Sequence, residues 1–381
     1  MRIALLVSSL AVGGTERQAL VLAGGLAARG HALRLITLFP GGALEAEARA
    51  LERVELVRIW ARVPGRRGLA LLTSAGRLAG ALAAEPPDVL YTLDHAANLV
   101  GALATRRTRF PLVWSMRESS ARPGWKLALL RRGAALFCAR AALLIANSEA
   151  GRERMRTLGA LPARSLVLGN AVDPLRFRPA TSAERRAARR ALGLAEGALV
   201  AVLVARLTRD KDHGTFLRAA AAAAAEEPTL AFLCVTPDAA HLPARLAALA
   251  GVPGLAGRLH WHAAQCDVRQ ALAAADLALS SSVAEGFPNA LLEALSSGLP
   301  VAATDAGASR ELVGTAGQIV PTRDPGALAA AIVELARLTP AARAELGTRA
   351  REGVLARFST ERLLSATEAA LVEVVASGSW A

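Results

Sequence analysis

The sequence predicts an α/β protein of two Rossmann-like domains, each a parallel sheet with helices on both faces. Three observations carry this. Short aliphatic runs alternate with helical segments from one end of the chain to the other. The 381 residues allow two domains of ordinary size, each large enough to bury its own core. The hydrophobic fraction is 53% and the aromatic fraction only 4%, which suits aliphatic strands covered by helices and excludes a disordered chain.

The elements follow in order. IALLVSS (3–9) reads as a strand, TERQALVLAGGLAARG (15–30) as a helix with Thr15 as its N-cap, and HALRLITLF (31–39) as the next strand. Strands are expected at Val54–Ile59, Asp88–Thr92, Leu112–Ser115, Ala142–Ala146 and Ser165–Leu168, between Ala/Leu-rich helices. Such short connections imply parallel pairing with right-handed crossovers. Two prolines and clustered charge mark a linker near 171–180. A second series runs through 198–207, 229–236, 257–262, 275–282, 299–304 and 317–321, and the tail from Ser359 to Ala376 reads as a helix. The alanine run 219–225 needs no special reading, since alanine is the best helix former. The expected domains are 1–175 and 176–358, with helix 359–381 packing back toward the first.

Composition narrows the function. Cys138, Cys234 and Cys266 are far apart and odd in number, which argues against a disulfide framework and for a reducing compartment. No apolar stretch reaches the ~18 residues of a spanning helix. The opening MRIALLVSSLAVGG reads as a first strand rather than a signal peptide, because its apolar run ends in a glycine pair and feeds an amphipathic helix. The net charge is +13, yet residues 1–178 hold 26 Lys/Arg against 12 Asp/Glu while the remainder holds 19 against 20. A basic face drawn to anionic lipid is the reading of that asymmetry, and the expected location is cytoplasmic, at the inner face of the membrane. Nucleic acid is not expected as a partner, because no stacking aromatics are interleaved with the basic residues.

The strongest chemical signal is EGFPNALLE (285–293). A helix beginning near Pro288–Asn289 would place Glu285 on the preceding loop and Glu293 one turn inside. Gly286 would allow close backbone approach, and the exposed N–H groups of the helix start would suit a diphosphate. Glu293 could accept from two adjacent ribose hydroxyls. The bland alternative is a capping Glu285 and a surface Glu293. VARLTRDKDH (204–213) follows a strand, so Arg206 and Lys211 fall where doubly wound folds bind ligands and can neutralise a departing diphosphate without a metal. Asp210-Lys211-Asp212 is also a literal DxD, the pattern that holds a divalent ion elsewhere.

At this point the chain resembles the retaining glycosyltransferases of the GT-B fold, of the family-four type. The resemblance rests on an ordered set: GGTERQALVLAGGLAARGHALRLITL (13–38), TLDHAANLVG (92–101), ANSEAGRERM (146–155), LGNAVDPLRFRP (168–179), VARLTRDKDH, the run 274–314 and GQIVPTRDPGALAAAI (317–332). It implies two domains facing a central cleft, no cofactor, no metal, and a nucleoside diphosphate sugar as co-substrate. It also implies that Arg206 and Lys211 bind the donor diphosphate. Glu285 and the backbone of Gly286, Phe287, Pro288 and Asn289 would sit by the sugar and phosphates. Glu293 would hold the ribose, and Gly13 and Gly14 would close over the phosphates. Members of this type are thought to react on one face of the sugar, the leaving phosphate oxygen taking the acceptor proton.

One departure concerns the strand ending VWSMRES, where several mannosyltransferase-like members carry a histidine. Here Arg117 stands at that end and His95 lies on a neighbouring segment; either could touch acceptor or donor sugar. His260, His262 and Cys266 cluster in sequence, but without a fourth ligand they read as a strand end bordering the nucleotide base. The stretch 122–140, with Trp125, Lys126, Arg131, Arg132 and Arg140, and the loops 62–68 and 105–109 are candidates for membrane-surface docking. The functional expectation is hexosyl or N-acetylhexosaminyl transfer to a lipid-linked or polysaccharide acceptor. The alternatives are a soluble disaccharide synthase, a sugar-nucleotide epimerase, or a non-catalytic membrane-associated module.

Overall fold

A computed structural model describes residues 1–11, 13–62, 67–106, 110–117, 132–133, 135–236, 242–263 and 267–378. The chain forms two compact units, Met1–Ala171 with Thr360–Ala381, and Val172–Ser359.

In the first unit, β1 (Arg2–Val7), β2 (Ala32–Thr37), β3 (Val54–Arg58), β4 (Val89–Thr92), β5 (Leu112–Met116), β6 (Ala141–Ala146) and β7 (Ser165–Val167) form one sheet. Its order is β3-β2-β1-β4-β5-β6-β7, and every pairing is parallel. The order reverses beside β1, the arrangement that opens a ligand crevice at the carboxyl ends of the strands. Ile3, Leu5 and Val7 join one core and Ala4 and Leu6 another. Alternate side chains point to opposite faces, and both faces are buried, hence the unbroken aliphatic runs.

The helix Thr360–Ser377 completes this unit. Leu363, Leu364, Leu371 and Val374 enter its core. A Cβ on Gly25 would lie 2.4 Å from Leu364 Cδ1, so helix Gly14–Ala28 can meet it closely only with glycine there. Arg29 then pairs with Glu361 and Glu368, each at 2.6 Å.

In the second unit, β8 (Leu199–Val204), β9 (Leu230–Thr236), β10 (Leu259–Ala263), β11 (Leu277–Ser280), β12 (Val301–Thr304) and β13 (Gly317–Val320) run β10-β9-β8-β11-β12-β13, again all parallel. Val200 and Val202 face one core, Ala201 and Leu203 the other. Among the described residues no helix is long and apolar enough to cross a membrane.

One sequence expectation is corrected. Thr15 does not cap the first helix, which starts a residue earlier at Gly14, with Gly13 at the N-cap and no side-chain cap bond. Gly13 is extended (φ −166°), leaving Thr15 inside the first turn.

Candidate active site

The second unit gathers most of the expected donor residues at the carboxyl ends of β8 and β11. After β8 the chain turns through a short 3₁₀ segment, Arg209–Lys211, and then takes a left-handed step at Asp212 (φ 40°) before helix His213–Glu226. Asp212 tolerates that conformation because it also caps the helix, accepting from Thr215 N–H at 3.3 Å and Thr215 Oγ1–H at 2.7 Å. Its carboxylate therefore serves the helix start.

Lys211 reaches the loop after β11, where its ammonium pairs with Glu285. This is one of only two lysines among 45 basic residues. In a chain that otherwise uses arginine, a compact ammonium here suits a point contact to phosphate oxygens rather than a bidentate fork. The pair is well shielded, with side-chain exposures of 17% and 12%. Ser282 Oγ donates to Glu285 Oε1 at 2.7 Å, and Ser281 Oγ donates to the Lys211 carbonyl at 2.8 Å. Thr304 Oγ1, at the end of β12, donates to the Ser282 carbonyl at 2.6 Å. Val283 N–H bonds the Asp210 carbonyl at 2.8 Å, so the loops after β8 and β11 are laced together by backbone as well as charge. Arg206, on the same loop as Lys211, is exposed and makes no ion pair among the described residues.

Helix Asn289–Ser296 begins after Pro288, which stands at the N-cap and makes no side-chain cap bond. Leu291 and Leu292 N–H both turn back to the Pro288 carbonyl. An uncapped helix start is an anion-binding feature, since its first amides and its dipole favour negative charge. Phe287 is buried and packs edge-to-face on Phe358 at 5.2 Å, so this residue offers a ligand its backbone and anchors the loop with its ring. Glu293 lies one turn in, half-buried, on the helix whose Leu291, Leu292 and Leu295 enter the core.

Gly307 is a residue that motif reading missed. Its φ is +58°, and a Cβ there would fall 2.2 Å from the Glu285 carbonyl oxygen and 2.9 Å from that of Gly286. The next residue, Ala308, donates its N–H to the Gly286 carbonyl at 3.2 Å. The loop carrying Glu285 is thus seated on a glycine 22 positions downstream. Ser281, Ser282 and Thr304 were missed in the same way; the visible signals were the serine run after β11 and the Asp-Ala-Gly after β12.

The remaining candidates belong to the first unit. Gly13 and Gly14 begin its first helix after β1, and a Cβ on Gly13 would collide with Glu16 Oε2 at 2.2 Å. His95 is buried and opens helix His95–Ala104, which Asp94 caps through the N–H groups of Ala96 and Ala97. Asp94 also accepts from Ser8 N–H at 2.7 Å and Ser8 Oγ at 2.6 Å, joining the ends of β1 and β4. Arg117, just beyond β5, is 7% exposed and donates to Asn170 Oδ1 at 2.7 Å and Tyr91 Oη at 3.2 Å.

No group of three metal-ligating side chains occurs among the described residues. His260 and His262 lie on β10 as expected, and Cys266 lies outside the described residues. Trp261 between them stacks on His213 with ring centroids 6.3 Å apart; burial pushes the His213 imidazole down to about 4. Within the basic stretch, Trp125, Lys126 and Arg131 lie outside the described residues, as do parts of the loops 62–68 and 105–109. Arg140 donates to the Thr105 carbonyl at 2.8 Å.

Comparison with known proteins fits this geometry. Residues 198–337 match the family Glycosyl transferases group 1, and residues 12–176 match Glycosyltransferase Family 4. The D-inositol 3-phosphate glycosyltransferase of Geodermatophilus obscurus is 33% identical over 76% of this chain and 68% of its own length. That of Thermobispora bispora is 34% identical over 65% of this chain and 62% of its own length. Among solved structures, Anabaena HepE in complex with UDP superposes with a TM-score of 0.83 at 24% identity, covering 98% of this chain and 100% of that one. Sucrose-phosphate synthase from Thermosynechococcus elongatus gives 0.82 at 19% identity, over 99% and 100%. Both sheets have the strand pattern of the GT-B fold, both halves match the family, and the chain belongs to the group 1, family 4 glycosyltransferases.

Proposed function

We propose that this glycosyltransferase moves a hexosyl or N-acetylhexosaminyl group, with retention, from a nucleoside diphosphate sugar to a lipid-linked or polysaccharide acceptor. The observation that carries the donor half is the shielded Lys211–Glu285 pair, which joins the loop after β8 to the loop that leads into helix Asn289–Ser296. On this reading Lys211 and Arg206 take the diphosphate, together with the amides at the start of helix Asn289–Ser296. Glu285 orients Lys211 and meets the sugar, and Glu293 holds the ribose. Catalysis is then electrostatic: the C1–O bond to phosphate breaks while fixed cations and amides absorb the developing charge. The leaving oxygen accepts the acceptor's proton as the new C1–O bond forms on the same face, so no separate base is needed. The cap role of Asp212 supports independence from a divalent ion.

UDP-glucose is the first donor to try, because HepE is a structural neighbour seen with it. The basic excess of residues 1–178 supports an acceptor presented at an anionic membrane surface. A second reading, a small soluble acceptor, is favoured by the name of the curated relatives. A thermal-shift screen of UDP-, GDP- and ADP-sugars tests the donor half. One family of nucleotides should stabilise the protein, by about 2.7 kcal/mol at a hundredfold excess over Kd, with EDTA present. Absence of any shift with all of them, or a shift that EDTA abolishes, contradicts the proposal.

A further inference from the structure

We infer that Thr304 and Ser282 are positioning residues for the transfer step: together they hold the Glu285 carboxylate against the Lys211 ammonium. The inference deepens the proposed function and rests on it for the word transfer; the positioning itself does not depend on it.

The ladder between β11 and β12 pairs Ala278 with Val301, Leu279 with Ala302 and Ser280 with Ala303, and there it stops. The loop that follows carries Glu285 beyond the ladder's reach. From the β12 side its backbone is held at two points. Thr304 Oγ1 donates to the Ser282 carbonyl at 2.6 Å, and Ala308 donates its N–H to the Gly286 carbonyl at 3.2 Å. These two contacts bracket Glu285 in the chain. Thr304 is itself fixed, since it pairs with Val320 of β13 and is fully buried. Its hydroxyl is therefore a donor in a set place.

From Ser282 the restraint passes to the charged pair. Ser280 Oγ donates to Ser282 Oγ at 3.4 Å, and the Ser282 hydroxyl donates in turn to Glu285 Oε1 at 2.7 Å. Lys211 Nζ donates to that same oxygen. Thr304, being fully buried, cannot meet a substrate, so what it does for the reaction passes through this chain of bonds. The buried hydroxyls of Ser74, Thr105 and Ser309 serve only their own helix turns or loops, bonding carbonyls three or four positions back. Thr304 reaches back 22 positions, to the loop of the charged pair. A carboxylate held by a hydroxyl as well as by the ammonium keeps its place when a diphosphate comes to share Lys211, whose ammonium has donors for both. A misplacement of about 1 Å at a reacting centre costs on the order of a hundredfold in rate, so fixing this pair from behind bears on turnover.

The test reads the ammonium directly. Lys126 and Lys211 are the chain's two lysines, so the full chain carrying isotope-labelled lysine gives two side-chain ammonium signals by NMR, and Lys126→Arg assigns them. Thr304→Val keeps the volume and loses the hydroxyl. It should speed hydrogen exchange between the Lys211 ammonium and water about tenfold, the factor of one lost hydrogen bond of ordinary strength. The Lys126 signal should not move, which separates lost positioning from a general loosening of the fold. Ser282→Ala should have the same effect, and the double variant should add little to either single one, because both cut one chain of bonds. Thr304→Ser, which keeps the hydroxyl, should match the wild type. A Lys211 exchange rate unchanged in Thr304→Val, or raised equally in Thr304→Ser, overturns the inference. Should Thr304→Val not fold, Ser282→Ala decides alone, an unchanged rate being the overturning result. UDP added in large excess separates this inference from the donor reading. A Lys211 signal that answers to Thr304→Val but ignores UDP would sink the donor reading and leave the positioning standing.

Discussion

The two units end their strands in opposite electrostatic states. In the second, the cation at the strand ends is matched: Lys211 faces Glu285, and serine and threonine hydroxyls fix both partners. In the first, Arg117 is buried against an amide and a phenol and meets no carboxylate among the described residues. The chain as a whole repeats the contrast, with its entire basic excess before residue 179. A matched pair can be positioned in advance and still receive a diphosphate, because the ammonium has donors beyond the one that Glu285 takes. Two sheets of the same topology class thus differ in the charges set at their ends.

That contrast can be broken first at Lys211. Lys211→Ala should lower kcat/KM by roughly a thousandfold, the scale of losing one preorganised charge donor in a transition state. Lys211→Arg should recover only part of the loss, because the fork does not fit a point contact. Steady-state kinetics with the donor found by screening checks both. Full activity in Lys211→Ala would remove the second unit's distinguishing feature.

The second unit should also show its own pH dependence. His213 is buried neutral, its folded value near 4 against 6.5 when unfolded. The unfolded chain therefore binds a proton first as pH falls. Stability is complete above about 6.5 and declines through the window down to about 4, by about 3 kcal/mol in all. Urea melts of wild type and His213→Asn at pH 7 and pH 4.5 measure this, and the variant should have the flatter profile.

Gly307→Ala sharpens the idea that the Glu285 loop is seated by backbone contact. A side chain at φ +58° against the Glu285 carbonyl should cost about 2 kcal/mol or more. Thermal denaturation reads the loss, and nucleotide affinity should fall with it. The smallest effect belongs to the first unit's closing helix. Arg29→Ala removes partly exposed pairs with Glu361 and Glu368 and should lower stability by no more than about 1 kcal/mol.

The fold was readable because parallel strands buried on both faces leave unbroken aliphatic runs. Each expected run from 3–9 to 317–321 overlaps a strand. The candidate donor loop could be picked out in the sequence because its groups are close together: Glu285, Gly286, Pro288 and Glu293 span one loop and one helical turn. What stayed hidden depends on contacts across the sheet. Gly307 matters only because β12 returns beside β11, and Ser282 only because Thr304 holds its carbonyl. The neutral surroundings of Arg117 among the described residues come from Tyr91 and Asn170, which lie 26 and 53 positions away. Thr15 misled because a threonine before a helix reads as a cap, whereas the glycine pair lets the helix start earlier.

The most direct measurement is a crystal structure with UDP bound, grown in the presence of EDTA. The diphosphate should lie within hydrogen-bond reach of Lys211 Nζ and of the first amides of helix Asn289–Ser296, with Glu285 still beside Lys211. A diphosphate seated away from Lys211, or binding only when a divalent ion joins it to Asp210 and Asp212, would contradict the account.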